Sequence, residues 1–343
     1  VNDVQWSDQS SLEFFCEVVE SPRKRPILVI LTTGMDKGKG NPAWQRLLQG
    51  RETLLHDVED LSPESARLLV QDLLPMPMDE NLLEQIVDRS GGNPLYIKEI
   101  LEQITERKGL LKEKHGRLVK SDGIDDLDLP STVDGIASSR INAMEPGPRR
   151  VLLVSSVIGR EMTHAELKAV FREFPESEIA YLIENQVLSC RTVSEGKKIY
   201  RIRKGVTHRV AAKALVESER VEVHRALAQY FIDQMDQLKG HQLTVIARHL
   251  EKAGEKEDAG QYCLLSAGNA RANSGLTEAL VWTERALELL VSGSPFKFAA
   301  LELKETILDE LGRTEERLET LDQMSLFADV HGTPEHRVHA MIR

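Results

Sequence analysis

The chain has 343 residues, a formal net charge of −11 at neutral pH and 41% hydrophobic residues. That length is too great for one ordinary core and implies two or three domains, while the acidic balance opposes a surface given over to nucleic acid. The longest apolar runs, residues 27–31 and 151–154, fall far short of the ~20 residues a membrane helix needs, and the widely spaced Cys16, Cys190 and Cys263, with no CxxC and no visible targeting segment, fit reduced thiols in a cytoplasmic protein.

The opening run Val1-Asn2-Asp3-Val4-Gln5-Trp6-Ser7-Asp8 has the pattern of a buried parallel strand ending at the C-terminal edge of an α/β sheet and entering a helix. Ligands bind at that edge. An acid there, Asp3, is placed to hold Mg²⁺ or orient a water beside bound phosphate. The strand has almost no upstream residues, so a preceding piece with any Gly-rich phosphate loop is expected ahead of it. Leu12, Phe14, Phe15, Val18 and Val19 recur at helical spacing and stop at Ser21-Pro22. Residues 26–31 are apolar on both faces, as a central parallel strand must be, and end in Thr32-Thr33-Gly34. A polar loop leads to a weaker third strand at residues 54–58.

Ser62, Pro63 and Glu64 supply an N-cap, an N1 proline and a first-turn acid. Helices are expected at residues 66–74, 80–89 and 94–106. Between the last two, Gly91 and Gly92 offer the left-handed conformation that closes one helix, and Asn93 caps the next with Pro94 at N1. A small hairpin at 110–119 turns at His115-Gly116, and the acidic run 122–128 marks a domain boundary. Residues 130 to 233 read as three short helices, a hairpin (187–193 with 199–202) and two more helices, the pattern of a winged helix. Beyond residue 243 only helices remain, punctuated by Gly254, Gly275, Gly293, Gly312 and Gly332. A helix pair thus recurs about every 39 residues, near the period of helical solenoids. Another helix is expected from Thr333-Pro334.

Several of these stretches, in this order, resemble the later half of the STAND-type regulatory P-loop ATPases, the AAA-related module of large bacterial serine/threonine kinases, adenylate cyclases and transcriptional activators. They are residues 2–8, Leu31-Thr32-Thr33, Leu61-Ser62-Pro63-Glu64-Ser65-Ala66-Arg67 and Ser90-Gly91-Gly92-Asn93-Pro94-Leu95-Tyr96-Ile97-Lys98-Glu99. Residues 200–231 are similar to that family's winged-helix exit, and residues 247–290 to the start of its tetratricopeptide-like sensor array. The resemblance implies an α/β partial parallel sheet, the C-terminal half of a P-loop NTPase core with a helical lid (1–120), then an acidic linker (121–129) and mainly α structure. The latter is a winged-helix domain (130–234) and a TPR-like repeat array (235–343). It implies a nucleotide-dependent signalling switch that uses ATP or ADP with Mg²⁺, binds a protein partner through its repeats and is fused to an output domain such as a kinase or cyclase.

Carried over by residue, Asn2 and Asp3 occupy the family's acidic Walker B pair, Asp3 being the Mg²⁺ and catalytic candidate. Asn2 departs from the pattern, because an amide brings no charge and cannot act as a base. Gly34 stands where the family often has an arginine after the strand, which removes a phosphate sensor. Thr32 and Thr33 flank the site on the next strand, Asn93 and Pro94 line it from the lid with Pro94 against the adenine face, and Lys204 replaces a phosphate-sensing histidine. Nothing in these residues cradles β- and γ-phosphates, so this stretch alone is expected not to hydrolyse ATP.

Two other readings use the same residues. One is a non-enzymatic helical-repeat scaffold with a vestigial NTPase remnant. The other is a winged-helix DNA-binding regulator, drawn from Lys197, Lys198, Arg201, Arg203, Lys204, Arg209 and Lys213, although a solvated wing explains these as well. His331, His336 and His339 lack the spacing and fourth ligand of a metal site.

Overall fold

The helices of this protein close over several separate apolar cores rather than one. The computed structural model describes residues 4, 7, 9–20, 28–34, 42–49, 53–106, 111–121, 132–193, 196–234 and 241–332. Near the N-terminus, α1 (Gln9–Glu20) and α2 (Pro42–Leu48) bury Leu12, Cys16 and Leu47, with Leu31 and Trp44 packed against them. Arg46 of α2 pairs with Glu17 at 3.5 Å and with Glu20. Helix α2 lies in what reads as polar loop, and its one sequence signal is Pro42 at the first helical position.

The expected parallel sheet is not formed among the described residues. Residues 28–34 and 53–60 join no ladder. Leu28, Leu54 and Val58 stand 85%, 95% and 90% exposed. A run that is apolar on both faces becomes a buried strand only when neighbouring strands take its backbone bonds and helices cover its faces. That cover is not supplied by the described part of the chain. The expected half of a P-loop core is therefore not seen as a sheet.

Helices α3 (Pro63–Leu73), α4 (Glu80–Ser90) and α5 (Pro94–Glu106) form a second unit. Val70, Ile86, Ile97, Ile100 and Ile104 lie at its centre, each stabilising it by roughly 1.5–3 kcal/mol. The hairpin β1 (Leu111–Lys114)–β2 (Arg117–Lys120) pairs Leu111 with Lys120. It turns through His115 and Gly116 at φ 53° and 72°, the doubly left-handed turn whose twist matches two-residue hairpins. Bonds from Asp79 N to Leu118 O (2.8 Å) and Leu118 N to Pro77 O (2.9 Å) clip it to the start of α4.

The third unit runs through α6 (Val133–Asn142), α7 (Pro146–Ile158), β3 (Glu161–Thr163), α8 (His164–Val170), α9 (Glu176–Glu184), β4 (Leu188–Thr192), β5 (Lys198–Ile202), α10 (Gly205–Ala214) and α11 (Glu217–Asp233). Its antiparallel sheet has the order β3-β5-β4, with Tyr200 opposite both Met162 and Cys190. The hairpin formed where expected. Before it stand four helices and a strand rather than three helices, because Thr163 and Glu166 make a capping box that opens α8 directly behind β3. A three-residue strand is too short to show a period. Leu152, Leu167, Leu182 and Ile202 fill the core beneath.

The repeat array comprises α12 (His241–Lys252), α13 (Lys256–Ala272), α14 (Leu276–Leu289), α15 (Pro295–Glu310) and α16 (Thr314–Val330), each packed on the next. Three of the turns share one geometry. Gly254, Ser274 and Gly312 take φ of 81°, 64° and 71°. The following N–H groups of Glu255, Gly275 and Arg313 then reach back to Leu250, Ala270 and Leu308 carbonyls at 2.9–3.0 Å, the Schellman closure. Thr283 and Thr320, both buried, donate to the carbonyls of Ala279 and Glu316 at 2.7 Å. Ala259, Ala267 and Ala270 are buried between helices as their size suggests, whereas Gly268 faces open space. The helix expected from Thr333 lies outside the described residues. Among those described, no helix is long and apolar enough to cross a membrane.

Candidate functional site

The corner between α4 and α5 is built by its own sequence. Gly91 closes α4 at φ 54°, and Gly92 follows at φ 83°. Ser90 Oγ donates to Val87 O at 2.7 Å and accepts from Gly92 N at 3.2 Å. Asn93 Oδ1 accepts from Leu95 N and Tyr96 N at 3.0 and 3.1 Å, so its oxygen is committed to capping α5. Pro94 is the first residue of α5 and is exposed. Leu61 N donates to Gly92 O at 2.9 Å. A Cβ at Gly92 would overlap Leu61 O and lie 3.0 Å from Leu61 N. Ser62 then caps α3 through Ser65 N at 3.2 Å. The two motifs at 61–67 and 90–99, far apart in sequence, therefore meet backbone to backbone.

Asn2 and Asp3 lie outside the described residues. The residue that follows them is placed: Val4 is buried, and its N–H donates to Thr32 O at 2.9 Å. Residue 4 thus sits beside the end of the 28–34 segment. Thr32 and Thr33 are exposed, and Thr33 Oγ1 donates to Gly34 O at 3.3 Å. Leu31 belongs to the core of α1 and α2, whereas the α4–α5 corner belongs to the core of α3–α5. Thr32 and Thr33 are thus carried by one packed unit, and Asn93 and Pro94 by another.

Lys204 is the N-cap residue of α10 and makes no side-chain capping bond. Its ammonium reaches α5 instead, 3.0 Å and 3.1 Å from the two oxygens of Glu99 and in contact with Glu102. Arg140 of α6 joins the same carboxylates, at 2.9 Å from Glu99 and 3.4 Å from Glu102. The Glu99 side chain is only 8% exposed, which two cations make tolerable. Burial by itself would raise the Glu102 carboxyl, but its bonds to Lys204 and the charge of Arg140 outweigh burial and hold it below the ordinary carboxylate range. Upstream, Arg160 bonds the Ile202 and Arg203 carbonyls at 3.4 and 3.2 Å and so steadies the turn that delivers Lys204. Glu99 and Glu102 sit five and eight residues beyond Pro94 on the same helix, roughly 8 and 12 Å along its axis. Sequence reading singled out Lys204 and missed its carboxylate partners. The available signal was an acid in the otherwise apolar stripe of Tyr96, Ile97, Ile100 and Leu101.

Some of the other basic residues around the hairpin face acids. Arg191 and Arg201 flank Glu161 at 3.3 and 3.6 Å. Arg209 pairs with Asp134, and Arg203 meets Gln186 at 3.2 Å. A charge already held by a carboxylate attracts phosphate less. Among the described residues, no group of three or more His, Cys, Asp or Glu could hold a metal ion. Two surface depressions of about 300 and 220 Å³ lie along α11–α14, lined in one by Arg225, Glu255 and Tyr262 and in the other by Ser266, Asn269 and Glu278. Neither adjoins Asn93, Pro94 or Lys204.

No protein-family model matches the chain. It is 25% identical over 300 residues to an uncharacterized protein of Rhizobium meliloti (strain 1021), an alignment covering 84% of this chain and 27% of that protein. Among solved structures it is similar to a signal transduction ATPase with numerous domains (STAND) carrying a tetratricopeptide repeat sensor, from Pyrococcus horikoshii. That match has 14% identity and a TM-score of 0.38, over 88% of this chain and 45% of the other. The chain spans about a quarter of the curated relative it matches and under half of that structure.

Proposed function

We propose that this chain is part of a nucleotide-dependent signalling switch of the STAND type, in which residues 132–234 act as a winged helix and the helices from residue 241 onward sense a protein partner. The observation that carries the reading is the placement of α5. One rigid helix bears the Gly-Gly-Asn-Pro corner at its start and, two to three turns later, the carboxylates that grip Lys204. A shift of that corner on binding ATP or ADP would reach the 132–234 unit through the helix without any flexible link, as bistable switches require. Within this reading Asp3 holds Mg²⁺, Thr32 and Thr33 flank the nucleotide, and Pro94 packs on the adenine. The resemblance of residues 2–8, 61–67 and 90–99 to that family supports the assignment, as does the meeting of the last two of these stretches.

Calorimetry on the full-length protein with ATP and ADP tests it. Binding is expected, and Asp3→Ala with Pro94→Ala should weaken it at least tenfold and change the protease digestion pattern. Absence of nucleotide binding in the full-length protein refutes the switch. A second reading, a protein-binding scaffold without nucleotide chemistry, is favoured by the continuous repeat array. It predicts partner binding that ATP and ADP leave unchanged, and no Gly-x-x-x-x-Gly-Lys-Ser/Thr loop in the ~60 to 100 residues upstream.

A further inference from the structure

The sheet of the 132–234 unit has the order β3-β5-β4, so β4 is an edge strand. The bonds that flank its ladder show which of its backbone groups face outward. Arg203 N donates to Val187 O at 3.0 Å, and Val193 N donates to Lys197 O at 2.9 Å. Both fall in the register that pairs Leu188 with Ile202, and antiparallel pairs alternate between bonded and unbonded. Residues 187, 189, 191 and 193 therefore direct their N–H and C=O groups to β5, and Leu188, Cys190 and Thr192 direct theirs away from it. The same alternation on β5 turns Ile202 N to Arg160 O on the β3 side. Among the described residues, no backbone group bonds the outer edge of β4. Edges are commonly blunted by shortness, charge, proline or a bulge. The opposite edge, β3, is three residues long. By contrast β4 runs unbroken over five residues, its one charge, Arg191, is turned to Glu161, and residues 190–192 are exposed.

We infer that the outer edge of β4 pairs with β4 of a second copy of this chain, antiparallel about a two-fold axis at Cys190. The strand itself selects that occupant and that register. With Cys190 opposite its own counterpart, Leu188 faces Thr192 at both ends, and every outward group is used, giving about six hydrogen bonds. A register centred on Arg191 would set two guanidinium groups against each other. One centred on Ser189 would leave Thr192 beyond the end of the facing strand. Five residues a side fall short of the roughly 20–30 of a stable interface, so the reduced dimer is weak and exchanges. Residues opposite in a bonded pair have Cα atoms about 5.5 Å apart, within the span of a disulfide. Cys16 and Cys263 are buried, whereas Cys190 is exposed. Glutathione disulfide can therefore lock the pair. One Cys190 thiolate displaces a glutathione thiolate to give a mixed disulfide, and the second Cys190 thiolate displaces the other glutathione, so two protein thiols are oxidised as one glutathione disulfide is reduced.

The test treats the full-length protein with glutathione disulfide and follows the covalent dimer by non-reducing electrophoresis, with the linked peptides identified by mass spectrometry. A dimer joined from Cys190 to Cys190 is expected. Cys190→Ser with Thr192→Cys moves the thiol two residues along the same face. The two thiol positions then stand four residues apart along the paired strands, about 14 Å, and dimer formation should slow at least tenfold. Thr192→Pro leaves Cys190 in place and breaks no bond to β5, because that N–H faces outward. It removes two bonds of the pairing and should slow dimer formation about tenfold. Equal rates for the native and the moved thiol would mean chance encounter of exposed cysteines and would overturn the pairing. An unslowed Thr192→Pro, or a protein that forms no Cys190-linked dimer, overturns it as well.

Discussion

Replacing Gly92 by alanine isolates the geometry that joins the two motifs. Gly91 and Gly92 both have positive φ, 54° and 83°, so alanine at either costs about 1–2 kcal/mol in backbone conformation. Their surroundings differ. A Cβ at Gly91 meets nothing within 4 Å, whereas at Gly92 it would overlap Leu61 O and crowd Leu61 N and C at 3.0 and 3.2 Å. Relief requires the backbone at Leu61 to move, which loses the Leu61 N to Gly92 O bond, about 1 kcal/mol. It also pulls on the Ser62 cap of α3, worth about 1 kcal/mol more. Gly92→Ala should therefore loosen the α3–α5 unit by about 2 kcal/mol more than Gly91→Ala, roughly a 30-fold larger local opening constant. Hydrogen exchange read on peptides spanning residues 62–106 measures this locally, which matters in a chain of several cores where a single unfolding free energy is ill defined. Equal protection loss in the two variants would refute the argument, since it would mean the approach of residues 61 and 92 contributes nothing.

The junction of α11 and α12 should be acid-sensitive. His224 Nδ1 and His249 Nδ1 lie 2.9 Å apart, with Phe231 stacked on His249. Burial, followed for His224 by His249, Lys252 and Arg220 and for His249 by Lys252, holds each imidazole down to about 4. The folded protein then binds fewer protons than the unfolded chain between pH 6.5 and 4, so stability is full above 6.5 and declines as pH falls through that window. The loss is on the order of 3 kcal/mol for the first proton of the pair. Exchange of α11 and α12 at pH 7.5 and 5 should show it, and a double His224→Asn, His249→Asn variant with the same pH slope would contradict it. In the α3–α5 core, Ile100→Ala removes a fully buried side chain and should cost about 2–5 kcal/mol. Leu54→Ala in this chain, at a side chain almost wholly in solvent, should stay within about 0.5 kcal/mol. Urea titration followed by exchange compares the two, and a large loss in Leu54→Ala would show that residues 53–60 are covered after all.

Much of the helical architecture was legible because its causes are local. The stripe from Leu12 to Val19 formed α1, Ser62-Pro63-Glu64 opened α3, Asn93-Pro94 opened α5, and the glycines at 254 and 312 ended helices in the left-handed conformation. Each of these follows from side-chain period, capping oxygen or missing Cβ within a few residues. The runs at 26–31 and 54–58 show the limit of that reasoning. Their apolar pattern states that they want cover on both faces, and among the described residues no ladder takes them up and Leu28, Leu54 and Val58 remain in solvent.

For the candidate site the division is the same. The sequence alone determined that Gly91 and Gly92 offer the left-handed conformation, that Asn93 caps α5 and that Lys204 is a cation at the end of the basic hairpin strand. Only the tertiary structure decided that Gly92 lies against Leu61, and that Lys204 and Arg140 converge on Glu99 and Glu102 from two other elements. A cap or a turn is set by neighbours along the chain, whereas an ion-pair cluster drawn from residues about 100 positions apart depends on how separately folded units pack, and no local period records that packing.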